Sequence, residues 1–330
     1  MWRWPLKLLI LITLSGCQPG PGSVLDDYLS RLERVLNQPR PESSLPSPQR
    51  PARHPFEPDD SLNVSLLAPL SLKPCGVLPL IAQHNAQLGR VAAPSQQLLY
   101  HREMGYRLHH CDPESLKSDG RTLRTQLLAQ KADTLSDYGA RYFLLSDEVW
   151  FNLGADAQPW QLGAVIVTEQ SLVQLSELKT ALVAWQHPTV SSETLENALA
   201  TLHRSRLPRT LHRSMHDATV MLNQATGLLQ HAEPLSCNDK AMAVLPNILS
   251  NIYGERVQPL LAELQKADRR LTPPLRQLLT PWPEHPYFDY YLGDQPGQLR
   301  HHFYQAIQQH TQAWQALLQR CDRSPTPNPG

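Results

Sequence analysis

The sequence predicts an all-α protein, a multi-helix bundle with two disulfides behind an N-terminal signal and a Pro-rich linker, and three observations predict the bundle. Apolar residues recur at i, i+3 and i+4 through eight segments: 75–88, 95–110, 119–145, 169–186, 193–204, 209–231, 239–267 and 297–320. The one short β-branched run, "AVIV" at 164–167, is too little to demand a sheet. Four cysteines beyond residue 17 lie on or beside these apolar stripes in an even set.

The N-terminus reads as a targeting device. Arg3 and Lys7 form a basic n-region, and Leu8 to Leu14 an apolar run that stops at Ser15-Gly16-Cys17. That run is far short of the roughly 20 residues that span a bilayer as a helix. "LSGC" resembles the lipobox of bacterial lipoproteins, which implies cleavage before Cys17 and acyl chains on it. More than one lipid signal is what holds a protein stably on a membrane. Gln18, where an Asp commonly retains such proteins at the inner membrane, implies the outer membrane of a Gram-negative envelope, with the body facing the periplasm. A secretory signal cut elsewhere is the alternative, but Leu14, Ser15 and Gly16 stand in lipobox order.

The chain then divides into a signal at 1–16, the anchor with a short amphipathic helix at 17–38, a linker at 39–60 and a helical domain at 61–330, with a candidate sub-boundary near 150–168. Val24, Leu25, Tyr28, Leu29, Leu32, Val35 and Leu36 trace the amphipathic helix, which should dock somewhere. Seven prolines between 39 and 58 make the linker extended, either for reach or wrapped over the body. The whole chain balances 30 basic against 30 acidic residues, and loss of Arg3 and Lys7 with the signal leaves 28 against 30. That charge argues against a nucleic-acid binder.

Helical spacing narrows the disulfide pairing. Leu78, Ile81, Asn85 and Leu88 share a face one turn after Cys75, and Gly89 is a stop signal. Tyr100, Met104 and Leu108 form the next stripe, continued by Cys111. Two such helices joined by a short loop are antiparallel, so Cys75 should meet Cys111. Cys237 leads the stripe Ala241, Leu245, Ile248, Ile252, and Leu299, Phe303, Ile307, Trp314 and Leu318 lead to Cys321. These two should bridge, unpaired thiols being the alternative. No two cysteines have the spacing of a zinc site.

Candidate chemistry is sparse. Asn85 lies on the apolar stripe and should point inward, as a structural polar group tied to backbone near the 89–94 loop. His212 and His216 form an HxxxH pair, yet Leu211, Met215, Ala218, Leu222, Ala225 and Leu229 make a heptad seam that puts His216 on its outer side. The zincin Glu is absent, so no metal and no other cofactor is implied. Arg204, Arg206, Arg209 and Arg213 are the densest basic stretch, a weak candidate for anionic lipid or glycan phosphate, or simply a solvated turn around Pro208. Glu114-Ser115 and Glu42-Ser43 carry only a fragment of the peptidoglycan-cutting pattern, without the Gly- and Gln-rich segment that should follow.

"DDYLSRLERVL", a proline-rich stretch, a cysteine with "LIAQHNAQLGRVAAPSQQLLY" and a second cysteine resemble the bacterial lipoproteins grouped as domain of unknown function 3080. Asn85, Leu88-Gly89, Pro94-Ser95, Tyr100 and both cysteines match, while His84 stands where the family has arginine and Ala86 where it has serine. The resemblance implies architecture and location, not an activity. The expectation is an outer-membrane-anchored periplasmic lipoprotein that acts by binding an envelope protein, lipid or glycan. A peptidoglycan hydrolase or a carrier of lipid or another hydrophobic ligand is the alternative.

Overall fold

The computed structural model describes residues 21–47, 67–152, 154–155, 165–183, 190–232, 235–279 and 286–321. The signal, Cys17 and most of the linker lie outside the described residues. All elements among the described residues are helical, with no strand, and both expected disulfides are present.

Helix α1, Pro21–Leu36, docks fully. Leu25, Tyr28, Leu29, Leu32 and Leu36 are each at most 6% exposed within the main core. At about 2 kcal/mol per buried apolar side chain, the stripe contributes on the order of 10 kcal/mol before entropy. Asn37, in the left-handed region at φ 51, turns the chain back on itself. Residues 38–47 then form a strap. Gln38 donates to the His231 carbonyl, Pro41 lies against Gly227, and the Leu45 carbonyl accepts from His216.

A second, smaller core surrounds Leu72, Val77, Met104, Leu108, Leu116 and Leu123. It is built by a 3₁₀ helix, Ala68–Cys75, by α2 (Leu78–Asn85), α4 (Pro94–His110) and α5 (Ser118–Leu145), with the short α3 (Gln87–Arg90) following α2. Helices α4 and α5 are antiparallel, because Arg124 reaches the Leu108 carbonyl while Lys131 reaches His101. The Cys75–Cys111 bridge closes this unit.

Two expectations need correction here. The single helix over 75–88 is instead α2 and α3, broken at Ala86, whose ψ of 157 is extended. Asn85 consequently ends α2 and is exposed rather than turned inward. The break folds α3 against the end of α2. Gly89 sits there so close to the carbonyl oxygens of Gln83 and His84 that a Cβ would collide with both.

The remaining helices complete the main core: α6 (Asp147–Phe151), α7 (Val165–Val183), α8 (Ser192–Ser205), α9 (Leu207–Gln230), α10 (Lys240–Asn247), α11 (Gln258–Leu279), α12 (Pro286–Leu292) and α13 (Leu299–Gln319). Residues 165–167 of "AVIV" belong to α7. Helix α9 is the axis, with its seam from Leu211 to Leu229 at most 1% exposed throughout. Helix α13 lies parallel to α9, since Thr226–His310 and Cys237–Cys321 are both separated by 84 residues.

Between α10 and α11, Ile248–Val257 is a π-helical stretch that follows the donor-less Pro246. The helix expected to stop at 267 runs on to Leu279 through Pro273 and Pro274. Burial of Leu271, Thr272, Leu275 and Leu278 against the core outweighs the proline cost.

Candidate functional site

The structure scatters the arginines of the basic stretch. Arg204 ends α8, and Arg206 forms the turn at φ 50. Arg209 lies over the Phe151 ring, 5.5 Å from its centroid, and Arg213 is paired with Asp217 at 2.7 Å. Glu114 sits exposed in a 3₁₀ turn 3.9 Å from Arg121, and Glu42 is exposed on the strap. Neither lines a buried cleft among the described residues.

The HxxxH pair diverges. His212 faces the core, 2% exposed, and stacks on Tyr291 at 5.2 Å. Burial lowers its pKa to about 4, so it is neutral at neutral pH. His216 faces the strap, as the seam requires. Its Nε2 donates to the Leu45 carbonyl at 3.0 Å, and its Nδ1 to Asp217 at 3.3 Å. The Asp217 carboxylate raises the pKa of His216. No group of three or more His, Cys, Asp and Glu side chains suited to a metal occurs among the described residues.

What the fold brings together instead is the N-terminal segment, α9 and α13. Trp314 Nε1 donates to the Tyr28 hydroxyl at 2.8 Å, and that hydroxyl meets His310 Nε2 at 2.8 Å. Indole can only donate, so the tyrosine proton points to histidine. Nδ1 then donates to Thr226 at 3.2 Å. Burial lowers the His310 pKa to about 3, which keeps the ring neutral. Around this centre, Arg40 ties the strap to Asp26 at 2.9 Å and Glu33 at 3.0 Å, and Asp27 pairs with Arg256.

A second buried cluster lies on α11 and α13. Arg300 grips Asp268 with both forks, at 2.8 and 2.9 Å, and Tyr304 and Thr272 also donate to it. Burial alone would push the Asp268 pKa up, but these hydrogen bonds outweigh it and hold the carboxyl below its ordinary range. The hydrogen bonds of both clusters tie one helix to another, so the clusters position helices. Sequence patterning misses them, because Tyr28 and His310 are 282 residues apart and Asp268 reads as an ordinary helix charge.

No helix among the described residues is long and apolar enough to cross a membrane. A family model, protein of unknown function (DUF3080), matches residues 25–325. No curated protein and no solved structure matches the chain.

Proposed function

Because the chain belongs to the DUF3080 family of proteins of unknown function, we propose a function from its own residues: an outer-membrane-anchored periplasmic lipoprotein that acts as a non-catalytic interaction or assembly accessory of the envelope. The observation that carries this reading is the placement of α1. It begins four residues after Cys17 and is built into the main core, so lipid on Cys17 holds the folded body close to the bilayer. Four residues of extended chain reach only about 14 Å. The two disulfides support an oxidising compartment, in which such bridges persist. The order Leu14, Ser15, Gly16 before Cys17 supports lipidation.

The test is affinity capture of the lipidated protein from crosslinked envelopes, with Cys17→Ala as the soluble control. A defined protein partner lost in the control is the expected result. Capture of lipid or glycan alone overturns the accessory reading in favour of a carrier or a cell-wall-active protein.

A further inference from the structure

The strap fixes how α1 lies against α9. Gln38, just past the end of α1, is bound at His231, Pro41 lies on Gly227 and Leu45 reaches His216, so the strap runs along α9 toward its N-terminal end. Arg40 of the strap binds Asp26 and Glu33, on either side of Ser30, so α1 runs beside the strap in the opposite direction. Helices α1 and α9 are therefore parallel, with Ser30 at about the height of Leu228. Pro21 then lies about 14 Å nearer the N-terminal end of α9, at about the height of Thr219. From Pro21 to Cys17 is at most about 14 Å of extended chain, so Cys17 stands no further along than about Thr210. The α8–α9 turn around Arg206 is at or beyond that height.

That turn carries unbalanced positive charge. Arg204 and Arg206 are exposed, and neither has a carboxylate partner among the described residues. Arg209 lies over Phe151, an apolar ring that is 36% exposed and also meets His203. Arg213 is neutralised by Asp217. Acidic groups on the elements that meet the turn are set back from it. Glu148 of α6 and Glu196 of α8 both face Tyr142, and Glu196 is about two turns before Arg204. Asp147 and Glu193 precede them in the same helices. The exposed flank of α1 offers no such excess, because Asp26, Asp27 and Glu33 are paired with Arg31, Arg40 and Arg256, leaving Arg34 toward its far end. The start of α9 adds the positive end of a long helix dipole. Arg206 itself sits at φ 50, a left-handed cap of α8 where glycine is the usual residue, so its side chain is kept there against backbone strain. Guanidinium groups beside an exposed aromatic ring suit the boundary between lipid phosphates and acyl chains.

We propose that the α8–α9 turn is the face this protein lays on its membrane, with Arg204 and Arg206 binding the phosphates of anionic phospholipid headgroups and Phe151 at the apolar boundary. This rests on the reading of Cys17 as lipidated and adds which surface the lipid brings to the bilayer. A gain of about fivefold per arginine is small alone, and becomes effective because the anchor holds the turn within reach of the headgroups. The orientation follows: α9 stands on the bilayer by its N-terminal end, and the Cys237–Cys321 end of the molecule is held away from it.

In the test, the lipidated protein is placed on vesicles of phosphatidylethanolamine and phosphatidylglycerol that contain a phospholipid with a photoactivatable headgroup, and crosslinked residues are mapped by mass spectrometry. Crosslinks should fall on residues 203–209 and on Phe151. Cosedimentation of the Cys17→Ala protein with the same vesicles at low salt reads the contact without the anchor. Arg204→Gln combined with Arg206→Gln should weaken it about 25-fold. Lys73→Gln combined with Lys117→Gln, exposed lysines of the smaller unit, should leave it unchanged. Arg206→Gly should weaken it about fivefold while raising the melting temperature, because glycine relieves the strained cap; an arginine kept for the fold would give a lower one. Binding indifferent to Arg204 and Arg206, equal binding to phosphatidylcholine vesicles, or crosslinks concentrated elsewhere on the body overturns the proposal and leaves the lipoprotein reading standing. A mature chain whose mass shows no lipid on Cys17 overturns that reading, and the proposal with it.

Discussion

Tyr28 is the residue on which three helices converge. Its hydroxyl accepts from Trp314 and donates to His310, which in turn holds Thr226. Tyr28→Phe keeps the ring and strands two buried partners, a loss of about 1–3 kcal/mol. Urea unfolding should read that loss as a lower midpoint with an unchanged slope. The two buried histidines carry a separate expectation. His310 and His212 have pKa values lowered by burial to about 3 and about 4, against 6.5 in the unfolded chain. The unfolded state therefore binds more protons below pH 6.5, and their contribution is fully present above that pH. It is lost as pH falls, by about 1.4 kcal/mol per pH unit for each histidine. Denaturation at pH 7 and pH 5 measures the difference, which should shrink in His310→Gln. At the same scale, His84 stacks on Tyr100 with ring centroids 4.0 Å apart.

At the scale of elements, the strap is held by groups that titrate and by one missing side chain. Protonated His216 donates to both Leu45 and Asp217, and its pKa is raised. That contribution is present below the unfolded pKa of 6.5 and disappears as pH rises through the folded value. Cleavage by Glu-C after Glu42 should then be faster at pH 8 than at pH 6, relative to a free peptide of residues 38–47. Gly227→Ala, whose Cβ would press on Pro41 at 2.9 Å, should raise cleavage at both pH values. The helices most legible in the sequence were those with long stripes, such as the α9 seam and the ends that carry cysteines. Short elements without a repeating stripe, α6, α12 and the 3₁₀ helix, were not. Nor was the break at Ala86, which is set by how α3 folds back and not by any proline. The passage of α11 through Pro273-Pro274 reverses a local rule because its burial is tertiary.

For the whole molecule, both the N-terminal helix and the C-terminal helix close the same core. A protease site inserted between Ala52 and Arg53 should therefore leave the two fragments together on gel filtration after cutting, because Leu25 to Leu36 remain buried in the larger piece. Separation of the fragments would refute that. The Cys237–Cys321 bridge closes a loop of 84 residues, and replacing both cysteines with serine should cost about 4 kcal/mol on the chain-entropy model, read by urea unfolding. The contact between Tyr28 and Trp314, separated by 286 residues, also sets an order of events. Helix α1 is made long before its partner α13. Until α9 has been made, the apolar stripe of α1 lacks the surface that covers most of it. That stripe must be kept from aggregating until then, and the Tyr28 centre can close only when α13 arrives.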